Sequence, residues 1–131
     1  MEINENNSPS KKFGYFAGDD LTRFEELEKA QNSKLIMFAK GGWGSARLLE
    51  KEPSWQHGLM LGFSDTSSLL LSKYSQGFIG SIHGPMLTRL FKEPEWSLER
   101  LRNLLFEGYV EDIIGIPLRA VSYTHLTLPT R

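Results

Sequence analysis

With 131 residues the chain has room for one compact domain, and 40% hydrophobic with 24% charged residues is an ordinary globular proportion. A formal net charge of -1 excludes a broad electrostatic pull toward nucleic acid or an anionic membrane. The absence of cysteine excludes disulfides, thiol catalysis and zinc–thiolate sites and suits a cytoplasmic protein, and apolar runs as short as 35–39 and 69–71 exclude a bilayer-spanning helix.

Residues 1–12 are polar, rich in Asn and Ser and without the apolar stretch of a secretory signal, so disorder is expected there. Asp19 and Asp20 cap a helix whose apolar face carries Leu21, Phe24, Leu27 and Ala30 and which Asn32-Ser33 ends. Residues 34–39 are a near-continuous apolar run, as in a buried parallel strand. Gly41-Gly42-Trp43-Gly44-Ser45 is a tight glycine loop, and residues 46–51 start a short helix that Pro53 closes. Residues 59–61 form the next strand, and residues 65–74 the helix after it. Residues 77–82 read as a strand, His83-Gly84-Pro85 as a turn and residues 86–91 as helical. Ser97 is placed to cap a last helix, with Trp96 stapled against Leu101 and an apolar face of Leu98, Leu101, Leu104 and Leu105. Strands alternating with helices predict parallel βαβ units in a layered α/β domain, with no internal repeat.

The stretch with most chemical content is Leu59-Met60-Leu61-Gly62-Phe63-Ser64-Asp65-Thr66. A serine on a sharp strand-to-helix turn is lifted clear of its neighbours, and the helix N-terminus beside it offers unpaired N–H groups. In isolation Ser64 reads first as a helix N-cap and nothing more. The glycine loop has a second reading too, as the anion cradle of a non-catalytic α/β binding module. It lacks the Lys-Ser/Thr ending of a P-loop and the spacing of a dinucleotide fingerprint. Trp55 and Trp96 read as packing residues, and Arg23, Arg47 and Arg89 as solvated or paired with nearby carboxylates, with Arg47 placed to orient the glycine loop. Glu93 and Glu95 flank Pro94 in a loop and form no acid/base pair, and no cluster has metal-ligand spacing.

Taken together, four blocks resemble the bacterial LD-carboxypeptidases. Gly14-Tyr15-Phe16-Ala17-Gly18-Asp19-Asp20 with Arg23 is similar to their "AG-acidic…R" block, and Lys40-Gly41-Gly42-Trp43-Gly44-Ser45-Ala46-Arg47-Leu48-Leu49 to their "RGGYG-x-x-RLL" loop. Gly62-Phe63-Ser64-Asp65 resembles their nucleophile turn "G-[YFH]-S-D", and His83-Gly84-Pro85-Met86 their "HGP-[ML]" strand exit. The order of the blocks is right, and the likeness runs from Phe13 to Gly115. It implies a flavodoxin-like layered parallel sheet with flanking helices, here incomplete, as the N-terminal domain of a two-domain serine peptidase. Such enzymes act in the cytoplasm without a cofactor and remove the terminal D-alanine from murein tetrapeptides during cell-wall recycling. A related branch cleaves peptide–nucleotide antibiotics, and the family often forms homodimers. By the resemblance Ser64 is the nucleophile, the N–H groups of Gly42 and Asp65 form the oxyanion hole, and Trp43, where tyrosine is common, is an aromatic wall of the substrate site. Lys40 replaces the usual arginine and keeps its charge sign.

A serine hydroxyl needs an adjacent base, and the family's histidine and glutamate come from its second domain. The histidines of this chain are His57, His83 and His125. His83 falls in a block outside the family's triad, and His57 in a polar loop. His125 belongs to residues 120–131, which resemble a translated transposon adaptor and are set apart as a non-native tail. On this reading the domain spans 13–119 and the gene continues past Arg119. The N-terminus also looks short of a strand and a helix, so the polypeptide by itself is expected to be marginal or prone to aggregate, and nearly inactive.

Overall fold

The computed structural model describes residues 18–112 together with Gly14 and Gly115. The N-terminal stretch 1–12, the tail 120–131 with His125, and part of the first family-like block lie outside the described residues.

Asp19 opens the first helix, α1 (Asp20–Ala30), and its carboxylate accepts from the Thr22 N–H at 2.8 Å. This hydrogen bond is the main reason its carboxyl sits below the ordinary carboxylate range. Of the expected apolar face, Leu27 is buried and Phe24 packs beside it, but Leu21 points to solvent. Strand β1 (Leu35–Met37) is shorter than the apolar run around it and only half-buried. The cause is visible just downstream. The carbonyls of Phe38 and Ala39 accept from the N–H groups of Leu87 and Thr88, so the chain leaves the sheet there.

Helix α2 (Ser45–Leu48) and a 3-10 turn (Leu49–Lys51) follow the glycine loop as expected. Strand β2 (Leu59–Gly62) is the centre of the sheet, with Met60 and Leu61 fully buried. A 3-10 turn (Ser64–Thr66) then leads into α3 (Ser67–Ser75). Strand β3 covers Ser81–His83, not 77–82. The N–H groups of Gly77 and Phe78 bond back to Tyr74 and Lys73 carbonyls, so these residues finish α3 before the strand begins.

The three strands are parallel in the order β1-β2-β3, with Leu35, Ile36 and Met37 opposite Leu59, Met60 and Leu61, and with Met60, Leu61 and Gly62 opposite Ser81, Ile82 and His83. Leu27, Leu48, Trp55, Met60, Leu69 and Leu70 make the core, one apolar cluster shared by the sheet and helices α1 to α3. The α/β reading with parallel strands and flanking helices therefore holds.

A 3-10 turn (Leu87–Lys92) precedes α4 (Glu95–Arg102), and a π-helical turn (Asn103–Glu107) extends it. Three expectations fail here. Pro94, not Ser97, is the N-cap, because Pro94 keeps an extended ψ of 153° and Ser97 lies a turn too late; its hydroxyl donates to Glu93 Oε2 at 2.9 Å. Trp96 consequently sits inside the helix at 61% exposure, and neither the staple nor a packing role is left for it. Trp55 does pack, 3% exposed, with its indole N–H donating to Ser72 Oγ at 3.3 Å. No helix among the described residues is long and apolar enough to cross a membrane.

Candidate active site

Parallel strands carry their loops for ligands at their C-terminal ends, and that is where β2 delivers Ser64. Phe63 is still extended, with φ -154° and ψ -173°, and the chain then bends abruptly at Ser64, whose φ is +60°. Ser64 and Glu52 are the two non-glycine residues with positive φ among those described. An L-residue held there costs about 1–2 kcal/mol, so the surroundings must over-determine the turn. They do. The hydroxyl of buried Thr66 donates to Phe63 O at 2.9 Å, Ser68 Oγ donates to Asp65 O at 3.0 Å, and the Ser67 N–H reaches the carbonyls of Ser64 and Asp65. Ser64 itself is exposed. The helical turn it opens has no side-chain cap, so the N–H groups at its start are not taken up by a capping side chain.

The glycine loop packs on this same turn. A Cβ built on Gly41 would lie 3.3 Å from Ser64 Oγ, 3.2 Å from Ser64 Cβ and 2.8 Å from the terminal methyl of buried Met86. A side chain at position 41 would therefore displace the end of Met86 and press on the serine, and glycine lets the backbone come this close. Gly42, next along, needs glycine for a different reason: its φ is +140°. Trp43 stands 85% exposed at the loop's tip.

Polar contacts fasten the loop. Asp65 Oδ2 accepts from the Ser45 N–H at 3.0 Å and from Ser45 Oγ at 2.7 Å. From α1, Arg23 donates to the carbonyls of Trp43 at 3.4 Å and Gly44 at 3.3 Å. Asp20 in turn pairs with Arg23 at 2.6 Å and with Arg47 of α2 at 2.5 Å, and the Arg23 hydrogen bond, then the charge of Arg47, holds the Asp20 carboxyl below the usual carboxylate range. The carboxylate pairing expected for Arg23 and Arg47 is thus present. Arg23, which the sequence did not single out for this, helps to orient the loop, because its fork reaches two loop carbonyls.

Sequence reasoning placed Ser64, Gly42 and the Asp65 backbone in one neighbourhood, and the fold brings the glycine loop against the Ser64 turn. It missed Gly41 as the point of closest approach, and it missed the Asp65 carboxylate and Ser45. A doubled glycine beside a serine-bearing turn is the one signal that pointed to Gly41; nothing local to residues 45 and 65 announces their contact across the sheet end. The Asp65 carboxylate also weighs against an anion cradle in residues 41–45, since it already occupies the N–H and hydroxyl an anion would seek.

No side chain among the described residues hydrogen-bonds Ser64 Oγ. His57 precedes β2, at the far end of the sheet, with its ring 5.3 Å from that of Phe78. His83 lies at the Ser64 end, opposite Gly62, and its ring meets Phe63 edge-on at 6.3 Å. The site as it stands presents an exposed serine on a strained backbone turn beside a close-packed glycine backbone.

The family model described as LD-carboxypeptidase N-terminal domain matches residues 1–84, a span holding three of the four blocks above and the first two residues of the last. The protein named "Putative carboxypeptidase slr1534", from Synechocystis sp., is 45% identical over 122 residues, which cover 86% of this chain and 37% of that protein. The chain thus spans little more than a third of the relative's length. No solved structure gives a significant match.

Proposed function

The chain belongs to the LD-carboxypeptidase family through its N-terminal domain, which makes it part of a peptidase; from that premise we propose that it is a serine-type enzyme with Ser64 as nucleophile. Ser64 Oγ attacks the carbonyl that precedes a terminal D-amino acid, the amine leaves, and water releases the acyl-enzyme. The N–H groups of Gly42 and Asp65 receive the negative oxygen of the tetrahedral intermediate, where losing one such donor raises the barrier by about 3 kcal/mol. Trp43 walls the substrate. The substrate is the murein tetrapeptide, handled in the cytoplasm during peptidoglycan recycling. The base and its orienting carboxylate lie in a second domain of a longer protein, in keeping with the relative's greater length.

The observation that carries this reading is the positive φ of an exposed serine at a strand-to-helix turn with the glycine loop packed on it. A strained turn of that kind is maintained to aim a side chain. The test uses the full-length protein, a serine-directed phosphonate and release of D-alanine from murein tetrapeptide. Wild type is expected to be labelled and active, and Ser64→Ala to lose both, with turnover down at least about a thousandfold. Label or turnover that survives the substitution removes Ser64 from the mechanism.

A further inference from the structure

The segment from Gly41 to Ser45 is pinned at both ends to consecutive residues of the serine turn. At one end Gly41 abuts Ser64. At the other, Ser45 is bonded twice to the carboxylate of Asp65. Gly42 lies between the pins. The Gly44–Ser45 peptide is also gripped on both faces. In a trans peptide the C=O and N–H point in opposite directions; here the Gly44 carbonyl goes to Arg23 at 3.3 Å and the Ser45 N–H to Asp65 at 3.0 Å. Ser45 is buried, which shields the contact from water. An aspartate just inside a helix would ordinarily turn to its own helix's free N–H groups. Asp65 instead reaches across 20 residues of sequence to the start of α2.

We propose that the Asp65 side chain is a positioning group whose bond to Ser45 sets the glycine loop against Ser64. It thereby fixes the spacing between the hydroxyl and the loop's N–H groups in which an oxyanion is received. The proposal rests on Ser64 as nucleophile. It assigns to the Asp65 carboxylate a task separate from that of its backbone N–H. The contact is made before substrate arrives, so its loss weakens stabilisation of the tetrahedral state more than binding of the ground state.

The experiment measures kcat, KM, thermal stability and affinity for a tetrahedral boronate inhibitor in the full-length protein, for wild type, Ser64→Ala, Asp65→Ala, Asp65→Asn, Ser45→Ala and the double variant Asp65→Ala/Ser45→Ala. A misplacement on the order of 1 Å costs about a hundredfold in rate. Asp65→Ala is therefore expected to lower kcat and boronate affinity by about that factor, with KM changed less than about threefold. Asp65→Asn keeps one acceptor oxygen and falls between. Ser45→Ala keeps the backbone donor and loses less, and the double variant is no worse than Asp65→Ala, because removing the carboxylate already removes both bonds that Ser45 makes to it. Asp65→Ala with wild-type kcat, or losses at 45 and 65 that simply multiply, overturns the proposal. If Asp65→Ala does not fold, Asp65→Asn and Ser45→Ala decide it by the same kcat-against-KM split. A wild type without turnover, or an active Ser64→Ala, overturns the nucleophile assignment and this proposal with it; an inactive Ser64→Ala beside a fully active Asp65→Ala overturns this proposal only.

Discussion

A methyl group at position 41 has no free space to enter. It would meet Ser64 Oγ at 3.3 Å, and Met86 Cε at 2.8 Å behind it, and Met86 is itself buried. The methionine's end can shift, but the serine belongs to a strained turn that cannot yield without moving the hydroxyl. In the full-length protein Gly41→Ala is therefore expected to slow phosphonate labelling of Ser64 by roughly tenfold or more, the effect of displacing a reacting atom by a fraction of an ångström. The melting temperature should move little, because the site lies outside the apolar core. Labelling at the wild-type rate would show that the contact between loop and serine has no part in reactivity. The residue scale is where the sequence was most legible. A glycine-terminated apolar run with a serine close behind it marks an abrupt strand-to-helix turn, and the other three blocks are what point to a role for its hydroxyl. The partners of the turn were opaque, because Asp65 and Ser45 meet only once β1 and β2 lie side by side.

Helices and strands were legible in kind and less so in extent. Strands β1 and β3 are shorter than the runs that announce them, since hydrogen bonds from the 87–92 turn and from the end of α3 claim the flanking residues, whereas β2 runs one residue past its own. The sharpest departure is inside α3. There Lys73 is 1% exposed, while Leu71 and Tyr74 stand 66% and 68% exposed, the reverse of what residue type suggests. Helix phase decides this: Leu69, Leu70 and Lys73 share the face turned to the sheet. The Lys73 ammonium is accommodated by donating to the Gln56 carbonyl and by lying 5.6 Å from the centre of the Phe78 ring. Burial still disfavours its charged form and pulls its pKa below the ordinary 10.5. The unfolded chain thus holds this proton more tightly than the fold does. Between the depressed folded value and 10.5 the unfolding free energy must rise with pH, and below that window Lys73 imposes a constant cost. Lys73→Met keeps the length and drops the charge, at the cost of the hydrogen bond to the Gln56 carbonyl. The variant is expected to melt roughly 4 °C or more above wild type at pH 7, the shift that about 1 kcal/mol gives a small domain. The advantage should narrow as the pH is raised toward 10.5. Parallel thermal melts across alkaline pH check both parts. An unchanged or lower melting temperature for Lys73→Met would mean that the carbonyl and ring contacts outweigh desolvation.

Across the whole molecule the two ends of the sheet divide the work. Ser64, Gly41, Met86 and His83 gather where the strands finish, and Gln31, Ser33, Gln56 and Lys73 close the opposite end. Between them runs β2, hydrogen-bonded on both sides: Leu59 N–H to Lys34 O at 3.0 Å, Met60 N–H to Gly80 O at 2.8 Å, and Leu61 O from Phe38 N–H at 3.1 Å. Its residues Met60 and Leu61 have essentially no contact with solvent. Helix α4 and the π-helical turn after it are built differently, without a single buried residue. Local opening is cheap where few apolar contacts are lost and costs the full unfolding free energy where the core itself must break. Amide hydrogen exchange of the chain should therefore fall into two classes. The N–H groups of β2 should exchange at least about a hundredfold more slowly than those of residues 95–107, with α1 and α3 nearer the first class because Leu27, Leu69 and Leu70 anchor them in the core. This ordering matters for the site, because Ser64 is attached directly to the slow strand while Gly41 and Gly42 follow the half-buried β1. The serine is held by the most stable part of the fold, and the loop must be brought to it. Protection of residues 95–107 equal to that of β2 would show that the helical extension and the sheet unfold as one unit, and would contradict this division.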